Sequence, residues 1–244
     1  MDSMSVTAAS GLRARMESLD LLANNVANAS TGGYKADREF YSLYVAPEAQ
    51  DADVFVTMPV IEKPWIDLSQ GMLTSTGNSL DVALNGKGFF SVVGPNGPLY
   101  TRNGGFHLAN DGKLVNGEGY AVRDAAGGVL TAQSALPIEI SSDGTLQQNG
   151  QPLGKLDIAD FTSTAGLAKQ GSNYFSVVDP RVRANAPSTT SVEQGKLESS
   201  NTGTAESAVR LVNIMRQFEM LQKAVLIGNE MSKQAIEQVA KVGS

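Results

Sequence analysis

The chain has 244 residues, with 19 basic and 25 acidic side chains and a formal charge of −6. That length can bury a core without covalent staples, and the acidic balance argues against a nucleic-acid binder, which needs a basic face for phosphate. Cysteine is absent and His107 is the only histidine. This excludes a disulfide framework, a thiolate metal site and a Cys nucleophile, and leaves zinc or Ser-His-Asp chemistry with one residue to carry it.

Met1-Asp2-Ser3-Met4 has no basic segment leading into an apolar one, so no cleavable secretory signal is expected. No apolar run is long enough for a membrane-spanning helix. Residues 3 to 29 contain no proline, and Ala9, Leu12, Met16, Leu19, Ala23 and Val26 recur at steps of three and four. The spacing predicts a one-sided helix of about 25 residues, roughly 37 Å long. Asn28-Ala29-Ser30-Thr31-Gly32-Gly33 reads as its stop, and residues 31–70 as an extended linker.

The middle changes in kind. Between residues 85 and 150 lie seven Asx-Gly pairs: Asn85-Gly86, Asn96-Gly97, Asn103-Gly104, Asp111-Gly112, Asn116-Gly117, Asp143-Gly144 and Asn149-Gly150. Such pairs favour the positive φ of tight hairpin turns. Between and beyond them are short apolar or alternating runs, among them Leu80–Leu84, Phe89–Val93, Leu136–Ile140, Leu153–Ile158 and Tyr174–Val178. The pattern predicts a compact antiparallel sheet domain over 71–203, with an irregular return segment from 179.

From Thr204 to Val242 proline is again absent, and apolar residues hold a seven-residue repeat. One heptad position reads Leu211, Phe218, Val225, Ser232, Val239; its partner reads Ile214, Leu221, Gly228, Ala235, Val242. Thr204 is the expected N-cap, with Glu206 in the dipole-favoured first turn.

Catalytic constellations are missing. No Gly-Lys pair sits in a phosphate-binding loop, no dinucleotide fingerprint or G-x-S-x-G elbow occurs, and the Asp-Gly segments lack the alternating ligands of a calcium loop. His107 reads as a strand residue, and Trp65 as either core filler or an interface anchor. No catalytic, cofactor or metal residue is expected.

Ala23-Asn-Asn-Val-Ala-Asn-Ala-Ser-Thr-Gly-Gly-Tyr34-Lys resembles the N-terminal signature of bacterial flagellar rod and hook proteins. Leu84-Asn-Gly-Lys-Gly-Phe-Phe-Ser-Val92 and the segment from Tyr100-Thr-Arg-Asn-Gly to Gly119-Tyr120 are similar to that family's central blocks. Ser200-Asn201, Ala205-Glu206 and Met215-Arg-Gln-Phe-Glu219 are similar to its C-terminal helix motif. One departure is Gly203, where the family often has a second Asn. The start Met1-Asp2-Ser3 and the run Arg216-Gln-Phe-Glu-Met220 look most like the proximal rod proteins, with the distal rod proteins as runner-up.

The resulting expectation is an α+β chain. Long N- and C-terminal helices (1–30 and 204–244) pair as a coiled coil, and a central antiparallel β-rich domain stands outside them. The resemblance implies a structural axial subunit that polymerises into a torque-transmitting shaft with a central export channel. Leu12, Met16, Leu19, Val26, Leu211, Ile214, Phe218, Leu221 and Val225 are the expected subunit-packing residues; Asn24, Asn25, Asn28, Thr31, Gly33 and Tyr34 are the family-motif residues. The implied partners are copies of itself, other flagellar rod proteins and the flagellar type III export apparatus. No nucleic acid, small-molecule substrate, cofactor or direct membrane insertion is expected. The implied place is the basal body within the periplasm, reached without a cleaved signal. The rival reading is a β-domain glycan-binding module with a helical oligomerisation stalk.

Overall fold

The computed structural model describes residues 3–39, 41–45, 57–61, 64–133, 136–161, 166–171, 173–179, 181–187 and 189–242. They divide into two compact units: Met1–Ala27, Ala36–Asp67 and Gly203–Ser244 form one, and Asn28–Lys35 with Leu68–Thr202 the other.

The first unit holds α1 (Ser3–Ala27), β1 (Asp37–Arg38), β2 (Tyr41–Val45), β3 (Thr57–Ile61), β4 (Trp65–Ile66) and the long α2 (Thr204–Val242). β1 pairs antiparallel with β4, and β2 with β3. The first hydrogen bond of α2 runs from Ser207 N–H to the Gly203 carbonyl, which puts Gly203 and not Thr204 at the cap position, and Glu206 sits in the first turn, as the helix dipole favours. The buried face of α1 is made of small residues as well as large ones: Gly11, Ala14, Ser18, Leu22 and Asn25. A methyl group added at Gly11 would meet the Leu221 side chain at 3.3 Å, so glycine there lets α2 come close.

The second unit is all strand and turn. In chain order it contains β5 (Leu73–Ser75), β6 (Val82–Asn85), β7 (Phe89–Gly94), β8 (Gly97–Thr101), β9 (Phe106–Leu108), β10 (Leu114–Asn116) and β11 (Ile138–Ile140). There follow β12 (Thr145–Gln148), β13 (Gln151–Lys155), β14 (Ile158–Phe161), β15 (Leu167–Gln170), β16 (Tyr174–Val177), β17 (Ala184–Asn185), β18 (Ser191–Gln194) and β19 (Lys196–Glu198). The largest sheet has the order β15-β16-β8-β7-β14-β17, and β11-β12-β13 form a second. β10-β9, β18-β6 and β19-β5 pair in twos. Val82, Leu84, Phe90, Val92, Phe106, Leu114, Leu130, Leu146 and Leu156 make one continuous core. The Phe90 and Phe106 rings meet edge to face with centroids 5.2 Å apart, the geometry aromatic quadrupoles favour.

The coiled-coil expectation is corrected. α1 is short beside α2, 25 residues against 39, and the regular structure of the remaining described chain is strand. No pair of long terminal helices runs as a coiled coil. Leu211, on the predicted seam, is 41% exposed, and Met16 and Val26, on the predicted α1 stripe, are 57% and 48% exposed. The physical reason is that small and polar residues (Gly11, Ala14, Ser18, Ser207, Gly228) take many of the inward positions, so the periodicity of large apolar residues overstates the seam.

Candidate functional site

Because the two units interleave in sequence, the chain passes between them four times, after Ala27, Lys35, Asp67 and Thr202. Within each unit, the residues flanking these passages are tied together.

In the strand unit the ties centre on a buried ionic cluster. Lys35 Nζ lies 2.5 Å from Glu198 Oε1 and donates to the Ser69 carbonyl at 2.6 Å. Both the Lys35 and Glu198 side chains are fully inaccessible. The same Glu198 oxygen accepts the Gly71 N–H at 2.9 Å, and its other oxygen meets Arg102 Nη1 at 3.1 Å. Arg102 continues to the Gly86 carbonyl at 2.6 Å, and its guanidinium stands over the Phe89 ring. One buried carboxylate therefore serves two buried cations. Burial lowers the Arg102 pKa from its usual value, with the Glu198 charge opposing that shift. Arg102 Nε has no hydrogen-bond partner among the described residues.

The motif residues are placed around this cluster. Asn28 accepts from Thr31 twice: its backbone oxygen from Thr31 N–H at 3.0 Å, and Oδ1 from the Thr31 hydroxyl at 3.2 Å. Gly33, at φ +68°, donates its N–H to the Glu198 carbonyl at 2.8 Å. A Cβ there would fall 2.3 Å from Asn103 N and 2.4 Å from Arg102 C, so only glycine fits. Tyr34 is buried, its carbonyl accepts the Asn201 N–H at 3.3 Å, and Lys169 Nζ lies 4.4 Å from its ring centroid. Asn201 Nδ2 also donates to the Ser69 carbonyl at 3.2 Å. Residues beside all four passages are thus bound together inside this unit.

The helical unit makes matching ties of its own. Buried Asn25 bonds Asp37 reciprocally: Nδ2 donates to the Asp37 carbonyl at 2.8 Å and Oδ1 accepts its N–H at 3.0 Å. The Asp67 N–H donates to the Ala36 carbonyl at 2.8 Å. Arg38 bridges Asp67 at 3.2 Å and Glu206 at 3.3 Å, and Arg210 meets Glu39 at 3.2 Å. Asn24 is exposed.

Of the residues expected to pack subunits, Ile214 is buried, Leu12, Leu19, Phe218, Leu221 and Val225 are partly buried, and Met16, Val26 and Leu211 are exposed. A second apolar line on α2 was not singled out from the sequence: Val209, Val212, Met220, Ile227 and Met231 are each 48% or more exposed. At 100° per residue they fall within one arc of roughly 100°, turned away from Ile214 and Leu221. His107 is an exposed residue of β9, and Trp65 is half exposed on β4. Among the described residues, no group of three His, Cys, Asp or Glu could hold a metal ion, and no helix is long and apolar enough to cross a membrane.

Residues 6–35, which carry the Asn28-to-Lys35 motif, match the family model described as flagella basal body rod protein. Residues 83–148 match the flagellar hook protein FlgE/F/G D1 domain, and residues 193–238 the flagellar basal body rod FlgEFG protein C-terminal model. The flagellar basal-body rod protein FlgF of Caulobacter vibrioides is 31% identical over 228 residues, covering 92% of each chain. The flagellar basal-body rod protein FlgG of Agrobacterium fabrum is 32% identical over 255 residues, covering 92% of this chain and 95% of its own. This chain belongs to the flagellar basal-body rod family. The motif blocks of the rod protein therefore coincide with its ionic cluster. The N-terminal match ends at Lys35 and the C-terminal match contains Glu198, the two halves of one buried pair.

Proposed function

We propose that this rod protein is an axial structural subunit of the flagellar basal body, assembling with copies of itself and with other rod proteins. The observation that carries the reading is the set of ties at the four chain passages. A subunit that transmits torque needs parts that do not yield, and here the residues flanking the passages are held inside their own unit by hydrogen bonds, several of them buried or charge-assisted. One heterologous contact repeated with a rotation and a rise builds a helical tube, which leaves room for a central export channel.

The helix residues supply the assembly surface of this reading. Leu12, Met16, Leu19, Val26, Leu211, Ile214, Phe218, Leu221 and Val225 are assigned to packing within and between subunits. The exposed line from Val209 to Met231 supports contact with neighbouring chains, since burying each large side chain contributes roughly 1.5–3 kcal/mol before ordering costs. Arg216-Gln-Phe-Glu-Met220 and the N-terminal Met1-Asp2-Ser3 favour the proximal position over the distal one. Delivery by the flagellar type III apparatus into the periplasmic part of the rod belongs to the same proposal.

Labelled protein located by electron microscopy in purified basal bodies tests it. Label at the inner end of the rod supports the proximal assignment, and label along the outer rod moves the chain to the distal one. An intact, accessible rod without label overturns the axial reading. Phe218→Asp is expected to leave the strand unit folded and block incorporation; normal rods built from that variant would refute the packing assignment.

A further inference from the structure

The seven Asx-Gly pairs that mark the turns are also chemically weak points, because a backbone nitrogen can attack the side-chain carbonyl before it. The structure ranks the five Asn-Gly pairs sharply. Asn85 Nδ2 donates to Glu193 at 2.8 Å, and the Gly86 N–H that would attack is held by Gln70 Oε1 at 3.1 Å. Asn103 Oδ1 accepts the Gly105 N–H at 3.1 Å, beside buried Gly104. Asn116 is buried; its amide donates to the Tyr174 hydroxyl at 2.7 Å, and its oxygen accepts from Glu118 and Tyr120. Gly97 opens β8 opposite Gly94, so the nitrogen after Asn96 belongs to the closing pair of its hairpin.

Asn149-Gly150 is different on every count. It is the two-residue loop between β12 and β13, whose last ladder pair is Gln148 with Gln151. Both residues are exposed, and a Cβ on Gly150 would meet nothing within 4 Å. Asn149 stands at φ +52° and is the one non-glycine residue at positive φ among the described residues; Gly150 follows at +76°. In a turn with both central residues left-handed, the ladder bond runs from the fourth residue to the first, so the Gly150 N–H is not used. Neither it nor the Asn149 amide has a partner among the described residues.

We propose that Asn149 is the site of spontaneous succinimide formation and deamidation in the folded protein. The Gly150 nitrogen, giving its proton to solvent base, forms a bond to Asn149 Cγ. The tetrahedral intermediate expels the side-chain nitrogen as ammonia and leaves a five-membered imide. Water then opens either imide carbonyl, giving an aspartyl or an isoaspartyl residue at 149. No oxidant or cofactor takes part. Each event adds one negative charge to a chain already at −6. The isoaspartyl product also lengthens the backbone by one methylene at the tightest point of the β12–β13 hairpin.

The test is to age the full-length folded protein in mildly alkaline buffer and map tryptic peptides by mass spectrometry. Trypsin places Asn149 alone among asparagines in residues 124–155 and puts each other Asn-Gly pair on a different peptide. The small mass gain of amide-to-acid conversion is expected to accumulate severalfold faster on 124–155 than on the others. Isoaspartyl methyltransferase should label that same peptide. In urea the five rates should converge, and Asn149→Gln should abolish the gain on 124–155. Another Asn-Gly peptide leading in the folded protein, or an unchanged ranking in urea, overturns the proposal.

Discussion

Removing the Glu198 charge should be the most damaging change to the buried ionic cluster. Glu198→Gln keeps the side-chain volume but leaves the Lys35 ammonium and the Arg102 guanidinium, both buried, without a counter-charge. Uncovering a buried charge in this way costs about 3–5 kcal/mol. Lys35→Met is the informative comparison. It removes one cation, but leaves Arg102 and Glu198 as a one-to-one pair at 3.1 Å, and methionine refills most of the lysine stem. Its loss is the charged hydrogen bonds to Glu198 and Ser69, of which each contributes about 1.5–3 kcal/mol at most, offset by the desolvation that lysine no longer has to bear. Urea unfolding of both full-length variants, followed by tyrosine near-ultraviolet circular dichroism, separates the two. With a slope of about 2 kcal/mol per molar, a 4 kcal/mol loss moves the midpoint by about 2 M. Lys35→Met costing as much as Glu198→Gln, or Glu198→Gln costing under about 1 kcal/mol, would show that charge balance does not hold this cluster together.

Two further expectations rest on single positions. Gly33→Ala should destabilise by roughly 4 kcal/mol or more, since it adds a clash with the Asn103 and Arg102 backbone to the left-handed penalty. Gly150→Ala, also at positive φ but in open space, should cost only the conformational penalty of about 1–2 kcal/mol; equal melting shifts for the two would refute the close-approach argument. Burial, then hydrogen bonding to Glu118, raises the Tyr174 pKa above its ordinary 10.0. A folded-state value above the unfolded one means this stability is complete below pH 10 and is lost as the pH climbs further. Burial also raises the Tyr100 pKa, so in alkaline spectrophotometric titration both phenols should ionise late, and Tyr174→Phe should remove only its own part of that late step.

The helices were the most legible part of the sequence. Proline-free segments with a three-and-four spacing located α1 and α2, and Asx-Gly pairs marked the hairpin turns at Asn96-Gly97, Asp111-Gly112 and Asn149-Gly150. Which face of α1 turns inward was not legible, because a pattern that counts large apolar residues cannot see that Gly11, Ala14 and Ser18 allow a closer approach. The motif Asn28–Lys35 was visible as a string, but its chemistry was not. Lys35 finds its carboxylate 163 residues away, and nothing local to Glu198 in Lys196-Leu-Glu-Ser marks it as buried. Gly33 reads in the sequence as part of a helix stop; that it must also admit the Asn103 backbone is a fact of packing alone.

The interleaving of the two units also sets an order of events. The strand unit is nearly contiguous, so most of its pairing partners are available once residue 202 has emerged. The helical unit cannot close before α2 arrives, because its other pieces lie on the far side of the whole strand region. The contacts of α2 with α1 therefore carry the largest loop-closure cost in the molecule and should form last. They should also open first, giving a molecule whose helical unit can come apart and re-form while the strand unit stays intact.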